Sequence, residues 1–419
     1  MSGKHVYFKT FGCRTNQFDT QVMMAKLEHF SLSMHEEEAD IIVVNSCTVT
    51  NGADASVRQY IRSAQRKNPD ARIVLAGCGS HSKGEALFNA REVHGVMGHS
   101  EKEHIDALLG REERFYEIGD LEHVDSTIVT EFVGKSRAFI KVQEGCDFAC
   151  SYCIIPSVRG GARSYPIAQI EEQVRILAAN GFGEFILTGT NVGSYGQDIG
   201  TSMAELLRRI SQLRGVRRIR IGSLEPIQID AAFMELLDEP WMARHLHIAL
   251  QHTSDAMLSR MNRRNAYASD RRLFEHLAER GYALGTDFIV GHPGEGEAEW
   301  SEAMARIGDL PLTHIHAFTY SQRDGTASAA MQDIVRGDIA KTRHRELTDR
   351  IAEKNYAFRR QHMDGLSVLV ENGREGVYNG LDQYFNRIQI VSSEDLHGNW
   401  IALSGVEAIP DGNRVSVTL

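Results

Sequence analysis

The chain has 419 residues, of which 42% are hydrophobic and 24% charged, and its formal net charge is -10. This length exceeds what one hydrophobic core usually supports, so two or three domains are expected. The composition is that of a soluble globular protein, and no apolar run of transmembrane or signal-peptide length occurs. We therefore expect a cytoplasmic protein with no membrane partner.

The negative charge argues against an extended basic surface for nucleic acid. Lys and Arg number 14 against 19 Asp and Glu in residues 1–130, 29 against 29 in residues 131–360, and 3 against 8 in residues 361–419. Residues 207–220 nevertheless hold six arginines and no acidic residue. Any site for a polyanion is therefore expected to be local.

The first 100 residues predict alternating strands and helices. Apolar runs rich in β-forming residues lie at 6–8, 41–44 and 73–75, and helices are predicted over 16–30 and 51–67. Such units build a parallel sheet, which binds ligands beyond the carboxyl ends of its strands. A Rossmann-like domain is predicted over residues 1–115, followed by a charged linker that leads to a strand at 138–142.

The middle and the end of the chain predict two further domains. Strands at 185–187, 219–221, 247–250, 288–290 and 315–318 alternate with helical stretches, as in a partial or complete β/α barrel over residues 132–362. A long helix over 339–362 closes this region. Residues 363–419 contain short strands separated by Gly, Asn and Asp turns, which predicts a small all-β barrel.

The six cysteines form two sets of three. Cys146, Cys150 and Cys153 have the spacing C-x3-C-x2-C directly after a predicted strand, whereas Cys13, Cys47 and Cys78 each follow a strand of the first domain. Cys13, Cys47 and Cys78 are therefore expected to meet at one edge of the parallel sheet. A zinc site or buried thiols are the alternatives, but structural zinc normally takes four protein ligands. Three thiolates can hold an iron-sulfur cluster and leave one iron open.

The compact set lies in the segment EGCDFACSYCIIPSVRG, which resembles the signature loop of the radical S-adenosylmethionine (SAM) superfamily. The surrounding sequence resembles the methylthiotransferases of that superfamily. In that family the open iron of a 4Fe-4S cluster binds SAM, and one-electron reduction cleaves SAM to a 5'-deoxyadenosyl radical. The resemblance gives Cys146, Cys150 and Cys153 this catalytic role.

The resemblance extends over the whole chain. The segments TFGCRTNQFDT, VVNSCTVTNGAD and LAGCGS are similar to those that hold an auxiliary 4Fe-4S cluster, the carrier of the sulfur that is inserted. Cys13, Cys47 and Cys78 are thus its expected ligands. The family order implies an N-terminal methylthiotransferase domain, a radical SAM barrel and a C-terminal TRAM domain, which is a small RNA-binding β-barrel.

Further family motifs imply contacts with SAM. The expected contact residues share a position at predicted strand ends of the barrel, and they are Gly189, Thr190, Ser223, Glu225 and Gln251. Two positions depart from the family pattern, since His252 and His292 replace residues of the usual QSGSD and GFPGE motifs. Each histidine could tune the substrate pocket, although a structural role is expected more often.

The residues around Cys13 and Cys47 indicate the substrate. The segments GCRTNQ and CTVTN resemble the class that acts on N6-threonylcarbamoyladenosine next to the tRNA anticodon. This substrate carries a carboxylate, for which Arg14, Arg159 and Arg163 are candidate partners. Isopentenyladenosine in tRNA or an aspartate of a ribosomal protein is the alternative substrate, and a non-enzymatic metal-cluster RNA adaptor is the alternative class.

The expected partners are the tRNA anticodon stem-loop, a reductant protein such as flavodoxin or ferredoxin, and a sulfur source. In the acidic C-terminal domain, Tyr384 and Arg387 are candidates to grip an RNA loop by stacking and phosphate contact. Most of the phosphate attraction is expected from barrel arginines. Charge reversal at Arg217 and Arg218 is therefore predicted to weaken tRNA binding.

Overall fold

The computed structural model describes residues 3–132 and 135–417, so the chain ends and residues 133–134 lie outside the described part. The first domain is a parallel sheet with helices on its faces, in the strand order β2-β1-β3-β4-β5-β6. Its strands are β1 (His5–Thr10), β2 (Ser31–Leu32), β3 (Ile41–Ser46), β4 (Arg72–Gly77), β5 (Gly95–Met97) and β6 (Phe115–Glu117). Its helices are α1 (Arg14–Ala25), α2 (Asn51–Lys67), α3 (Cys78–Asn89) and α4 (Ile105–Gly110).

Local sequence explains most of these elements. The strand β3 is apolar along its first four residues and buried on both faces, as expected for a central parallel strand. The helix α2 begins where Thr50 accepts a hydrogen bond from the amide of Ala53, and it has the predicted limits. The helix α1 ends five residues before its predicted end, because the chain bends at Glu28 and His29, whose amides donate hydrogen bonds to the carboxylate of Asp106.

The second domain is a partial β/α barrel. Its strands are β7 (Ala138–Lys141), β8 (Gln143–Glu144), β9 (Arg163–Ser164), β10 (Glu184–Thr188), β11 (Arg218–Ile221), β12 (His245–His247), β13 (Ala283–Val290) and β14 (His314–Thr319). Its helices are α5 (Ile155–Arg159), α6 (Ile167–Ala179), α7 (Met203–Ser211), α8 (Ala231–Met234), α9 (Asp255–Arg260), α10 (Tyr267–Glu279), α11 (Glu297–Asp309) and α12 (Gly337–Gln361).

Six of these strands are parallel and form the barrel wall. The ladders β7-β10-β11 and β12-β13-β14 are joined by isolated bridges from Ile219 to Met242 and from Leu224 to Ile248. The largest apolar core lies between this wall and the surrounding helices. The expected β/α barrel is confirmed, in its partial form.

The third domain is a curled six-stranded sheet with the order β18-β15-β16-β17-β20-β19. Its strands are β15 (Leu366–Arg374), β16 (Val377–Leu381), β17 (Arg387–Val391), β18 (Trp400–Leu403), β19 (Glu407–Ile409) and β20 (Gly412–Ser416). Its apolar side chains form a separate small core, consistent with a TRAM-like domain. In the described part of the chain, no helix has both the length and the apolarity needed to cross a membrane.

Candidate active site

The dispersed cysteines meet at the carboxyl edge of the first sheet. Cys13 and Cys78 stand at the starts of α1 and α3, and Cys47 directly follows β3. The strands β1, β3 and β4 are neighbours, so their ends coincide. Gly12 has a φ of +91°, and a Cβ placed there would lie 2.6 Å from Cβ of Cys47 and 2.9 Å from its Sγ. The loops carrying Cys13 and Cys47 are therefore in contact.

The compact cysteines occupy the loop between β8 and α5. The Sγ of Cys146 accepts a hydrogen bond from the amide of Phe148 at 3.4 Å. The Sγ of Cys150 accepts one from the guanidinium of Arg263 at 3.6 Å. Each of these two sulfurs therefore faces a hydrogen-bond donor.

A cavity of about 610 Å³ separates the two cysteine sets. Its lining includes one or more cysteines of each set, namely Cys13, Cys47, Cys78 and Cys153. The remaining wall is largely apolar and aromatic, with Tyr152, Ile154, Ile289, Phe318 and Tyr320 among its residues. Such a wall suits a flat, partly apolar group placed between the two sets.

Burial raises the pKa of thiols in both cysteine sets. It raises the pKa of Cys78 to about 11 and that of Cys153 to about 12, and it raises the pKa values of Cys47 and Cys146 as well. These thiols are therefore neutral at pH 7 in the metal-free chain, and metal binding has to displace their protons. Three thiolates in each set, with no further cysteine in the chain, fit two clusters that each keep one iron for a non-protein ligand.

The five residues expected to contact SAM fall into two groups. Gly189, Thr190 and Gln251 line the cavity, and Gln251 has a φ of +67°, a strained conformation for a residue other than glycine. Ser223 and Glu225 lie outside its lining. Ser223 donates a hydrogen bond to Asp287 at 3.3 Å, and Glu225 forms a two-point ion pair with Arg263, one contact being 2.9 Å long.

The three candidate arginines have different surroundings. Arg159 lines the cavity and is fully buried, but its guanidinium already contacts Cys78, Asp19, Glu144 and Asn16. Arg163 donates to the carbonyl oxygens of His123 and Arg159, each at 2.8 Å. Arg14 is half-buried, and its guanidinium lies 5.5 Å from the ring centre of Phe385. Their roles toward a substrate stay predictions.

A cluster of six buried charges joins the first domain to the barrel, and we call it the interdomain charge cluster. Its members are Asp19, Lys102, Asp125, Lys141, Glu144 and Arg159. The three carboxylates and three cations balance, which is required when charges are buried. Sequence reasoning missed this cluster because its members are spread between residues 19 and 159 without a shared motif.

The two unusual histidines are buried and do not line the cavity. His252 accepts a hydrogen bond from the amide of Ser254 and lies 3.3 Å from Glu295. His292 pairs with the hydroxyl of Ser328 at 2.8 Å, and its ring packs edge-on against Tyr152 and Tyr320. Burial lowers the pKa of His292 to about 4, so this ring is neutral at pH 7. Through its two tyrosine contacts, His292 supports the cavity wall.

The structure corrects the expectation for Arg218. Its side chain is buried against the third domain, where it pairs with Glu184 at 3.1 Å and donates to the carbonyl of Ser367 at 2.7 Å. It is thus unavailable to a phosphate, whereas Arg217 is exposed. Tyr384 packs against Phe358 and His362 in the domain interface, and Arg387 is exposed on β17.

Sequence reasoning also missed a group of histidines on the barrel wall. His245 and His247 alternate along β12, and His314 and His316 alternate along β14. The signal was present in the segments HLH and HIH, because alternate residues of a strand share one face.

Comparison with known proteins identifies the family of the chain. Residues 5–98 match the Uncharacterized protein family UPF0004, and residues 140–307 match the Radical SAM superfamily. A protein of Helicobacter pylori strain J99, provisionally named a methylthiotransferase, is 52% identical over 96% of this chain and 97% of its own.

Relatives with named substrates are more distant. The threonylcarbamoyladenosine tRNA methylthiotransferase MtaB of Bacillus subtilis is 33% identical over 96% of this chain and 94% of its own. The ribosomal protein uS12 methylthiotransferase RimO of Desulforudis audaxviator is 32% identical over 97% and 92%.

Among solved structures, the radical SAM methyltransferase TsrM of Kitasatospora setae has a similar fold, with a TM-score of 0.61 and 17% identity over 78% of this chain and 77% of its own. Two family models match this chain, and relatives of 33–52% identity cover nearly all of it. The chain therefore belongs to the radical SAM methylthiotransferase family, whose members use SAM and 4Fe-4S clusters.

Proposed function

We propose that this enzyme methylthiolates C2 of N6-threonylcarbamoyladenosine next to the tRNA anticodon, with two molecules of SAM. The observation that carries the proposal is the cavity of about 610 Å³ lined by cysteines of both sets. An unstacked anticodon-loop base placed there would face both sets at once, as chemistry on a base requires.

The cysteine assignments form part of this proposal. Cys146, Cys150 and Cys153 would hold the cluster that binds SAM, and Cys13, Cys47 and Cys78 would hold the auxiliary cluster. When bound, these groups supply reductive cleavage of SAM and the transferred sulfur. The aromatic wall would hold the base flat and exclude water from the reacting carbon. Thr190 and Gln251 present polar groups to the cavity, where SAM needs hydrogen-bond partners.

The domains divide this work. Residues 1–115 would carry the auxiliary cluster, residues 132–362 would bind SAM, and residues 363–419 would contact the anticodon stem-loop. The exposed Arg387 supports the last role, because a guanidinium can pair with a phosphate. A flavodoxin or ferredoxin as reductant, a separate sulfur source and a cytoplasmic location, where tRNA is found, complete the proposal.

Mass spectrometry of tRNA nucleosides tests the reaction and the substrate together. Reconstituted enzyme, SAM and reductant should convert threonylcarbamoyladenosine to its 2-methylthio derivative, without modifying isopentenyladenosine tRNA or ribosomal protein uS12. If the enzyme modified only isopentenyladenosine tRNA or only ribosomal protein uS12, that molecule would be its substrate instead. Zinc binding without cleavage of SAM would contradict the proposal that the protein is an enzyme.

Two variants test the division between the cysteine sets. Cys78→Ala should still form 5'-deoxyadenosine from SAM but should yield no methylthiolated nucleoside. Cys153→Ala should form neither product. Full methylthiolation by the Cys78 variant would contradict the auxiliary-cluster assignment.

A further inference from the structure

Three neighbouring strands of the barrel wall place four histidines and one aspartate on a single face. His245 and His247 lie on β12, Asp287 on β13, and His314 and His316 on β14. The ladder aligns Asp287 with His316 and His247 with Gly285, so all these positions share the same alternation. We call this group the histidine face. Asp287 also lines the cavity between the cysteine sets, so the face adjoins the candidate active site.

Three members of the histidine face converge on one point. The Nε2 of His247 lies 3.0 Å from Oδ1 of Asp287, and the Nδ1 of His316 lies 3.3 Å from the same oxygen. The two imidazole rings stack with their centres 4.6 Å apart. The other carboxylate oxygen, Oδ2, accepts the hydrogen bond from Ser223. Ser223 therefore orients the carboxylate with Oδ1 toward both rings.

These separations match those between the ligands of a small metal ion. Zinc binds imidazole nitrogen and carboxylate oxygen at roughly 2.0–2.2 Å, so tetrahedral ligands lie on the order of 3.3 Å from one another. Two histidines and one carboxylate are also a common donor set for catalytic zinc and for iron(II). In addition, the buried Nε2 of His247 makes no well-directed hydrogen bond within the described residues. A cation placed between this nitrogen and Oδ1 of Asp287 would be a partner for both atoms.

We propose that His247, Asp287 and His316 form a divalent-cation site of the zinc type, separate from both cysteine sets. Two neutral imidazoles and one carboxylate leave a bound divalent cation with a net charge of +1. Because the three side chains come from one wall, the remaining coordination positions face away from that wall. A water or an anionic oxygen of a bound molecule can occupy them. The site does not depend on which substrate the enzyme uses.

The absence of a side chain at Gly285 leaves space for the His247 ring. A Cβ at this position would lie 2.7 Å from Nδ1 of His247 and 3.2 Å from Nε2 of His245. The substitution Gly285→Ala should therefore displace the His247 ring and weaken cation binding without removing a ligand.

Zinc titration of the reconstituted enzyme tests the proposal, because its cysteines are then occupied by iron. After gel filtration in metal-free buffer, elemental analysis should find one zinc per chain beyond the iron. His316→Ala and Asp287→Asn should abolish this zinc, and Gly285→Ala should raise its dissociation constant at least tenfold. His314→Ala is the matched control, since it removes a neighbouring histidine of the same strand that lies outside the triad, and it should retain the zinc.

Cobalt(II) provides a second readout. Oxidised 4Fe-4S clusters give no electron paramagnetic resonance signal, so a high-spin cobalt(II) signal should appear in the parent and in His314→Ala but be absent in His316→Ala. Iron content and circular dichroism should be unchanged in His316→Ala, because its side chain is exposed. Failure of the parent to bind zinc, or equal binding by parent and His316→Ala, would overturn the proposal.

Discussion

Gly12 shows why a glycine precedes the first cysteine. Its positive φ belongs to the left-handed region, and its missing side chain lets the Cys13 loop touch Cys47. The local backbone conformation and the contact between the Cys13 loop and Cys47 thus both depend on Gly12. Sequence reasoning identified Cys13 and Cys47 as partners, but this contact required coordinates.

Substituting Gly12 should separate stability from cluster binding. Gly12→Ala should lose the iron of the auxiliary set, about half of the total, because the new Cβ overlaps Cys47. Gly181→Ala is the control, since Gly181 has a φ of +96° but open space around the position of its Cβ. Gly181→Ala should lose about 1–2 kcal/mol of unfolding free energy through its positive φ, and Gly12→Ala should lose more, because its Cβ also overlaps Cys47. Equal iron content in the two variants would contradict the prediction that the auxiliary cluster depends on this contact.

Arg159 connects the interdomain charge cluster to the auxiliary cysteines. Its Nε lies 3.1 Å from Sγ of Cys78, and one guanidinium nitrogen lies 2.9 Å from a carboxylate oxygen of Asp19. Arg159→Met would leave the cluster with three buried carboxylates and only two cations, and this uncompensated charge should cost about 3–5 kcal/mol of unfolding free energy. Arg175→Met removes an exposed ion pair with Glu172 and should cost less than about 1 kcal/mol. Urea unfolding of both variants measures the difference.

At the scale of elements, the sequence predicted best those helices and strands that are long or whose hydrogen bonds form within their own segment. The helix α2 was predicted at its observed limits because its cap and its stop lie in its own sequence. The strands β2, β5 and β6 were missed, since they are two or three residues long and their hydrogen bonds come from neighbouring strands. The cysteine edge was predictable from strand order, whereas the charge cluster depends on tertiary contacts.

Two buried histidines in turns after strands predict a pH dependence. Burial lowers the pKa of His292 to about 4, and it lowers that of His99 well below the ordinary value. The unfolded chain takes up these protons near pH 6.5, so the folded state should lose stability as pH falls from about 6.5 toward 4, by up to about 1.4 kcal/mol per pH unit for His292. Unfolding free energies at several pH values should show a smaller slope for His292→Gln than for the parent. The exposed His397→Gln should leave the slope unchanged.

At the scale of the whole molecule, Arg323 joins the barrel to the loop that carries Cys47. It follows β14 in the barrel, and its guanidinium donates to Asn51 at 2.8 Å, Thr48 at 2.9 Å and Asp54 at 2.7 Å in the first domain. The loop between β3 and α2, which carries Cys47, is therefore held in place by Arg323 of another domain.

Removing Arg323 should loosen this loop without unfolding either domain. Arg323→Ala should increase hydrogen exchange in residues 47–54 at least tenfold, while amides of β13 keep their protection. Arg336→Ala, which removes an exposed ion pair with Asp338, is the control and should leave residues 47–54 unchanged. Unaltered exchange in the Arg323 variant would show that other contacts hold the loop.

The interdomain charge cluster has a consequence for how the chain is made. Asp19 and Lys102 belong to the first domain and form a pair of their own at 2.9 Å, while Asp125, Lys141, Glu144 and Arg159 follow later in the chain and are also balanced in charge. The part that leaves the ribosome first can thus fold with a neutral pair at its uncovered face. Docking of the barrel then buries two neutral surfaces, and no intermediate of synthesis has to bury an unpaired charge.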